Sequence, residues 1–303
     1  MPALFATGMW NDCLVTVTKM QIDDEIVVSK LTGLEIFRRV VRPEKTETRG
    51  VFLMLHGLGD HQGCHIEAAE LFAEHGFASV GFDWPGNGAS EGIRGDIPGV
   101  HVAADLIDEH LELIAELFPG KPVGGYAHST GGFFILRHIA LREKNAFNWL
   151  WLSSPLLEPR HGKSQILQDS AAHLASLLPK FTISSGVTLK KVRHIDPSNP
   201  TPGTHRIEGR HNRVSLRLGA DLMLHADDIN AVGPLLEDPT ILLITQGTAD
   251  EICPPHYSRE LFEAVATSAK EYVLLHGLRH ELFREPANDE FMEIVTDWVD
   301  QLV

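Results

Sequence analysis

Apolar positions along this chain fall into two rhythms, one repeating every second residue and one every three or four. Near the start, residues 14–20, 25–29 and 34–41 alternate or run β-branched, with Asp23-Asp24 and Thr32-Gly33 as turns between them. That pattern predicts an antiparallel lead-in. The run Val51-Phe-Leu-Met-Leu55 then has no polar position at all. A strand of that kind is buried on both faces, as in a parallel sheet covered by helices. Strands are also predicted at 78–82, 123–127, 149–152, 240–245 and 271–275. Between them the three-to-four spacing predicts helices at 66–75, with Gly76 as C-cap, and at 100–118, where Pro119-Gly120 stops the pattern. Further helices are expected at 130–142, 257–266 and 289–302. Strand alternating with helix predicts an α/β protein with an open, mostly parallel sheet and helices on both faces.

Residues 155–238 break the rhythm. Positions 164–178 space Ile166, Leu167, Leu174, Leu177 and Leu178 as an amphipathic helix. Residues 182–202 carry Ser, Gly and Pro breakers, and 216–232 read as another helix rich in Leu and Met. A mixed, partly helical stretch between two sheet strands predicts an inserted cap. The expected organisation is therefore a core of 1–154 and 239–303 with a cap at 155–238.

The stretch Val123-Gly-Gly-Tyr-Ala-His-Ser129-Thr-Gly-Gly132 predicts a strand that turns abruptly into a helix with a serine at the apex. Small residues flank such a turn because strand and helix backbones nearly touch there. The familiar form is G-x-S-x-G, and here Ala127 takes the first glycine's place. A serine hydroxyl needs a base beside it, and the base needs a group that fixes its tautomer. Asp250 and His280 each follow a predicted strand after a short loop, and the order Ser129, Asp250, His280 suits a nucleophile, an orienting acid and a base. His276 and Glu251 are neighbouring rivals for the last two roles, whereas Asp83 precedes Trp84-Pro-Gly-Asn-Gly and reads as a turn cap. Two amides aimed at a developing oxyanion are expected from Thr130, directly after the serine, and from Leu58 in His56-Gly57-Leu58-Gly59.

Bulk properties narrow the field. With 303 residues, 43% of them hydrophobic, the chain can bury a large core. A formal charge of -15 disfavours binding to nucleic acid and to anionic lipid. Three scattered cysteines without C-x-x-C spacing fit a reduced compartment. No basic-then-apolar leader opens the chain, and no apolar run approaches the roughly 18 residues of a membrane span, so a soluble cytoplasmic protein without stable membrane anchoring is expected. His56, His61 and His65 lack the company of an H-E-x-x-H or a Cys/His cluster, and no Gly-rich piece matches a nucleotide loop. Neither metal nor cofactor is expected.

His56-Gly-Leu-Gly-Asp-His61, Asp83-Trp-Pro-Gly-Asn-Gly-Ala-Ser-Glu-Gly92, Ala127-His-Ser-Thr-Gly-Gly132, Gly247-Thr-Ala-Asp250 and Gly277-Leu-Arg-His-Glu281 resemble the monoacylglycerol lipase and lysophospholipase-like branch of the α/β-hydrolases. The resemblance runs from Val51 to the C-terminus and is weak across the cap. It implies Ser129, Asp250 and His280 as a catalytic triad, the Leu58 and Thr130 amides as oxyanion hole, and cleavage of glycerol esters and other small carboxylic esters without a cofactor. Pro85, Asn87 and Ala127 depart from the branch's usual residues. A Leu-rich cap suggests a small-molecule ester with an apolar acyl chain, of short to medium length or a monoacylglycerol. The same fold also hosts amide, lactone and carbon–carbon hydrolysis and perhydrolysis, and non-catalytic binding proteins.

Overall fold

The structure is a computed structural model that describes residues 20–44, 46–194 and 208–302. The chain begins with β1 (Met20–Val28), β2 (Glu35–Pro43) and β3 (Gly50–Leu55), then α1 (Ile66–Glu74), β4 (Phe77–Phe82) and α2 (Val100–Leu117). β5 (Val123–His128), α3 (Thr130–Arg142) and β6 (Trp149–Ser153) follow. The last part holds β9 (Ile241–Gly247), α8 (Pro255–Ala264), β10 (Lys270–Leu275) and α9 (Asp289–Asp300). Eight strands form one sheet in the order β1-β2-β4-β3-β5-β6-β9-β10. The strands from β4 to β10 are parallel, and β2 runs antiparallel to both β1 and β4.

The apolar run of β3 explains how the layers are held. Its side chains alternate between faces. Val51, Leu53 and Leu55 enter a core shared with Ile107 of α2, Phe134 of α3 and Leu261 of α8. Phe52 and Met54 enter the opposite core, with Phe72 of α1 and Val295 of α9. Both faces are therefore covered, as a strand without polar positions requires. Phe52 stacks flat on Phe72 with ring centroids 3.8 Å apart, and meets Phe77 and Trp149 edge-on at 5.5 Å.

The lead-in differs from expectation in one respect: Asp23-Asp24 is no turn, and β1 runs straight through it. As an edge strand β1 faces water, where acidic side chains cost nothing to place. They are also paired across the ladder, Glu25 to Arg38 at 2.9 Å, Asp24 to Arg39 at 2.6 Å, and Asp23 to Arg42. The expected turn at Thr32-Gly33 is present, with Gly33 at φ 68°. Of the strand expected at 14–20, residues 14–19 lie outside the described residues.

Between β6 and β9 lie α4 (Gln165–Leu177), β7 (Thr182–Ser184), α5 (Leu189–Val192), β8 (Arg213–Ser215), α6 (Leu216–Leu224) and α7 (Ala226–Asn230). β7 and β8 pair as a small antiparallel sheet, a pairing that three-residue strands 31 positions apart do not announce. The single helix expected over 216–232 is instead two. It breaks at His225, whose ring bonds the Asp228 carboxylate at 2.9 Å. The breaker-rich stretch expected at 182–202 holds β7 and α5, and its residues 195–202 lie outside the described residues. No helix of the described residues is long and apolar enough to cross a membrane.

The stacked position should dominate stability. Phe52→Ala should cost about 3–5 kcal/mol of unfolding free energy. Ile26→Ala on the edge strand, where the side chain is 57% exposed, should stay within about 0.5 kcal/mol. Denaturant titration of both variants checks the contrast.

Candidate active site

Ser129 sits between β5 and α3 with φ 55° and ψ -119°, a left-handed conformation that a residue with a side chain seldom adopts. Three backbone bonds fix it. Its N–H donates to Ser153 O at 3.1 Å, and its carbonyl accepts from Gly132 N and Leu156 N, each at 2.9 Å. Close approach explains the small residues around it. A Cβ on Gly131 would lie 2.3 Å from Leu55 O, and one on Gly57 would lie 2.9 Å from Ser129 Cβ. Ala127, registered between Leu55 and Leu152, is fully buried in the sheet, so its methyl is taken up by the core.

Asp250 follows β9, and four donors hold its carboxylate. Ile252 N and Cys253 N donate to Oδ1 at 2.9 Å each; Gln246 Nε2 at 2.9 Å and His280 Nδ1 at 2.8 Å donate to Oδ2. A carboxylate that only accepts requires the proton on Nδ1 of His280, which leaves Nε2 as the ring's basic nitrogen. Burial works against the imidazolium, but the adjacent Asp250 carboxylate prevails and raises His280 well above the ordinary imidazole value. The thiol of Cys253 lies in the same knot: it interacts with His280 and Ser129, and its sulfur, an Asp250 oxygen and a His280 nitrogen lie within 4.8 Å of one another. Burial pushes that thiol's pKa up. The only signal of Cys253 in the sequence is its spacing, since Asp250-Glu-Ile-Cys253 places it one tight turn beyond the carboxylate.

Ser129, Thr130, Gly57, Leu58 and His280 all line one cavity of about 470 Å³. Among the described residues, no acceptor takes the amide of Leu58 or of Thr130. The neighbouring donors are occupied: Gly59 N donates to Asn87 Oδ1 at 3.1 Å and Asp60 N to Gly57 O at 3.3 Å. Asn87, a departure from the branch's usual residue, thus holds the loop that presents Leu58. The opposite wall is largely apolar and comes from the segment between β6 and β9, with Val187, Val192, Val214, Leu222 and Met223.

The remaining candidates separate cleanly. His276 is exposed at the end of β10 and does not line the cavity. Glu251 lines the cavity but is itself exposed, whereas Asp250 is buried and bonds the imidazole. Asp83 ties two loops together, accepting from Gln62 N at 2.7 Å and Ala89 N at 2.9 Å, and burial raises its carboxyl to about 6. His56 bonds Gly57 O at 2.8 Å and accepts from Trp84 N at 3.0 Å, and burial lowers it to about 3. His61 accepts from Gly63 N at 3.2 Å, and His65 meets Asp60 at 2.9 Å, so the three histidines are engaged in separate directions.

A doubly covered parallel sheet with a serine at this turn, and with an acid and an imidazole beyond later strands, defines an α/β-hydrolase. A family model described as serine aminopeptidase, S33 (Hydrolase_4) matches residues 46–287, and the chain belongs to that family, on its monoacylglycerol lipase-like branch. It is 28% identical over 276 residues to a Homo sapiens monoglyceride lipase, covering 89% of this chain and 88% of that one. A Dictyostelium discoideum abhydrolase domain-containing protein is 26% identical over 268 residues; there the match takes in 87% of this chain but 27% of the longer protein. Among solved structures, a Paleococcus ferrophilus monoacylglycerol lipase superposes with a TM-score of 0.75 at 28% identity, over 88% of this chain and 98% of the other.

Proposed function

We propose that the protein is a serine carboxylic-ester hydrolase acting on monoacylglycerols or on esters of short to medium acyl length. The reading is carried by one observation: Asp250 bonds His280 at 2.8 Å on the wall of the cavity that Ser129 also lines. Residues 155–238 serve as the cap over that cavity, with the core on either side. Their apolar wall fits an acyl chain, and the names of the human and Paleococcus relatives point to the same substrate class.

In this mechanism His280 Nε2 takes the proton of Ser129 as Oγ attacks the ester carbonyl. The negative charge gathers on the carbonyl oxygen, where the Leu58 and Thr130 amides receive it. Asp250 stabilises the imidazolium formed at that moment and keeps its orientation. The tetrahedral species collapses, the C–O bond to the alcohol breaks, and His280 returns its proton to the leaving oxygen. Water then attacks the acyl-serine by the same steps, releasing the carboxylic acid and restoring the hydroxyl. Every step uses side chains and amides of the chain itself, and Cys253 stays protonated as a packing neighbour of the base.

Turnover and its pH dependence test this function. Hydrolysis of an ester series from acetate to palmitate, with a monoacylglycerol alongside, should show kcat/KM rising to an optimum at medium chain length. Ser129→Ala should lower kcat by about 10⁴–10⁶ while keeping the fold; turnover retained in that variant overturns the mechanism.

The base must be neutral, and its pKa is raised, so activity is present above that pKa and lost as pH falls through it. The acid limb of kcat/KM should therefore inflect above about pH 6.5. The stabilising imidazolium–carboxylate pair has the opposite sign, being full at low pH and lost as pH rises through the same range. Asp250→Asn should move the limb downward and lower kcat by about 10⁴. A limb at or below the free imidazole value in the unaltered enzyme contradicts the assignment.

A further inference from the structure

We propose that Arg210 is a positioning residue for this reaction, a strut from the cap that holds the loop carrying Leu58 and the loop carrying His280 in register. The inference rests on the hydrolase reading above. Arg210 Nε lies 3.4 Å from Asp60 Oδ1, and its Nη2 donates to Glu281 Oε1. Asp60 stands two residues beyond Leu58, in the turn closed by the Asp60 N to Gly57 O bond; Glu281 is the neighbour of His280. One planar cation on the cavity wall thus touches both halves of the proposed machinery, and among the described residues it bonds neither Ser129 nor His280.

The environment makes that cation hard to replace. The Asp60 and Glu281 side chains are 6% and 7% exposed, so two like charges are held side by side out of water. Asp60 Oδ1 and Glu281 Oε2 have no hydrogen-bond partner among the described residues. Other charges stand near, but at longer range or on one loop alone. Arg193 and Arg284 approach Glu281 at 4.0 and 3.9 Å. Arg284 also binds Cys64 O at 2.5 Å and reaches toward Glu67 at 3.7 Å. His65 occupies Asp60 Oδ2 at 2.9 Å. Among the described residues none of them forms an ion pair with both carboxylates. Removing the guanidinium takes away the cation paired with both carboxylates and leaves Asp60 to His65 and Glu281 to Arg193 and Arg284 at longer range, so the tie between the two loops is weakened.

The backbone follows the same plan. His211 N, next to Arg210, donates to Gly59 O at 2.9 Å. Gly59 has φ 70°, and a Cβ there would lie 1.9 Å from His211 O, so the cap segment before β8 and the Leu58 loop are in direct contact. On the other side Glu281 N donates to Val192 O at 2.8 Å, and Arg279 Nη1 donates to Lys190 O. These two legs of the cap, 189–194 and 208–213, are seated on the loops that carry Leu58 and His280.

The test compares wild type, Arg210→Ala, Arg210→Lys and Ser129→Ala on p-nitrophenyl acetate, an ester too short to need the cap's apolar wall. A misplaced loop costs rate rather than affinity, so Arg210→Ala should lose about 10–100-fold in kcat with KM within about threefold. Arg210→Lys should recover part of the loss, and guanidinium ion at tens of millimolar should restore Arg210→Ala but not wild type, against matched sodium chloride. Amide hydrogen exchange in Arg210→Ala should quicken in peptides covering 56–62 and 276–285 and stay unchanged in β3 and β5. A kcat within twofold of wild type overturns the strut, as does a loss accompanied by faster exchange throughout the sheet. If Arg210→Ala does not fold, the neutral Arg210→Gln takes its place, and its kcat and the exchange of its two loops decide the matter in the same terms. Wild-type turnover, and its loss in Ser129→Ala, tests the hydrolase reading separately; were wild type inert, the exchange comparison would still judge the strut.

Discussion

The tight turn at Ser129 is the constraint from which the rest of the site follows. A serine with φ 55° is strained by an amount of order 1–3 kcal/mol, and it persists only where its surroundings leave no alternative. Here the surroundings are backbone. Gly131 passes so near Leu55 O, and Gly57 so near Ser129 Cβ, that a methyl at either place would collide. The carbonyl of Ser129 is caught by Gly132 N and Leu156 N, and its amide by Ser153 O. Relaxing the turn would break those bonds and part β3 from α3. The strain is therefore sustained by the sheet, and it aims the hydroxyl into the cavity while setting the first turn of α3 beneath it, with the Thr130 amide unspent.

The partners are held with the same economy of freedom. Asp250 accepts four hydrogen bonds, three of them from its own loop and from Gln246 in β9, so the carboxylate cannot turn away from His280. The Leu58 loop is braced by His56 against Trp84 and by Asn87 against Gly59. Buried neutral His56 and buried Asp83 thus spend their polarity on scaffolding, which is why perturbed titration at those two positions does not mark chemistry.

The core and the turn that carries the candidate serine were legible in the sequence because burial leaves a plain pattern. Val51 to Leu55 has no polar position since helices cover both its faces, and the glycines after Ser129 are there because nothing larger fits. Asp23-Asp24 misled because acidic residues resemble a turn until the cross-strand arginines that pair them are seen. The insertion was least legible. Its helices pack partly on one another, as α4 does on α6, so their apolar spacing says that a helix exists but not where it docks. The break at His225 and the β7–β8 pair depend on contacts between distant residues. Arg210 was invisible for the same reason: a lone arginine in a polar loop acquires meaning only when Asp60 and Glu281, 150 and 71 positions away, converge on it.

A nucleophilic hydroxyl at Ser129 is open to capture by a fluorophosphonate, because the reagent bonds covalently to an activated oxygen and ignores ordinary serines. Peptide mass spectrometry should find a single adduct, on the peptide bearing Ser129, formed in the native protein and absent after unfolding. An adduct on the Cys253 peptide, or none on the native protein, would contradict that role for Ser129.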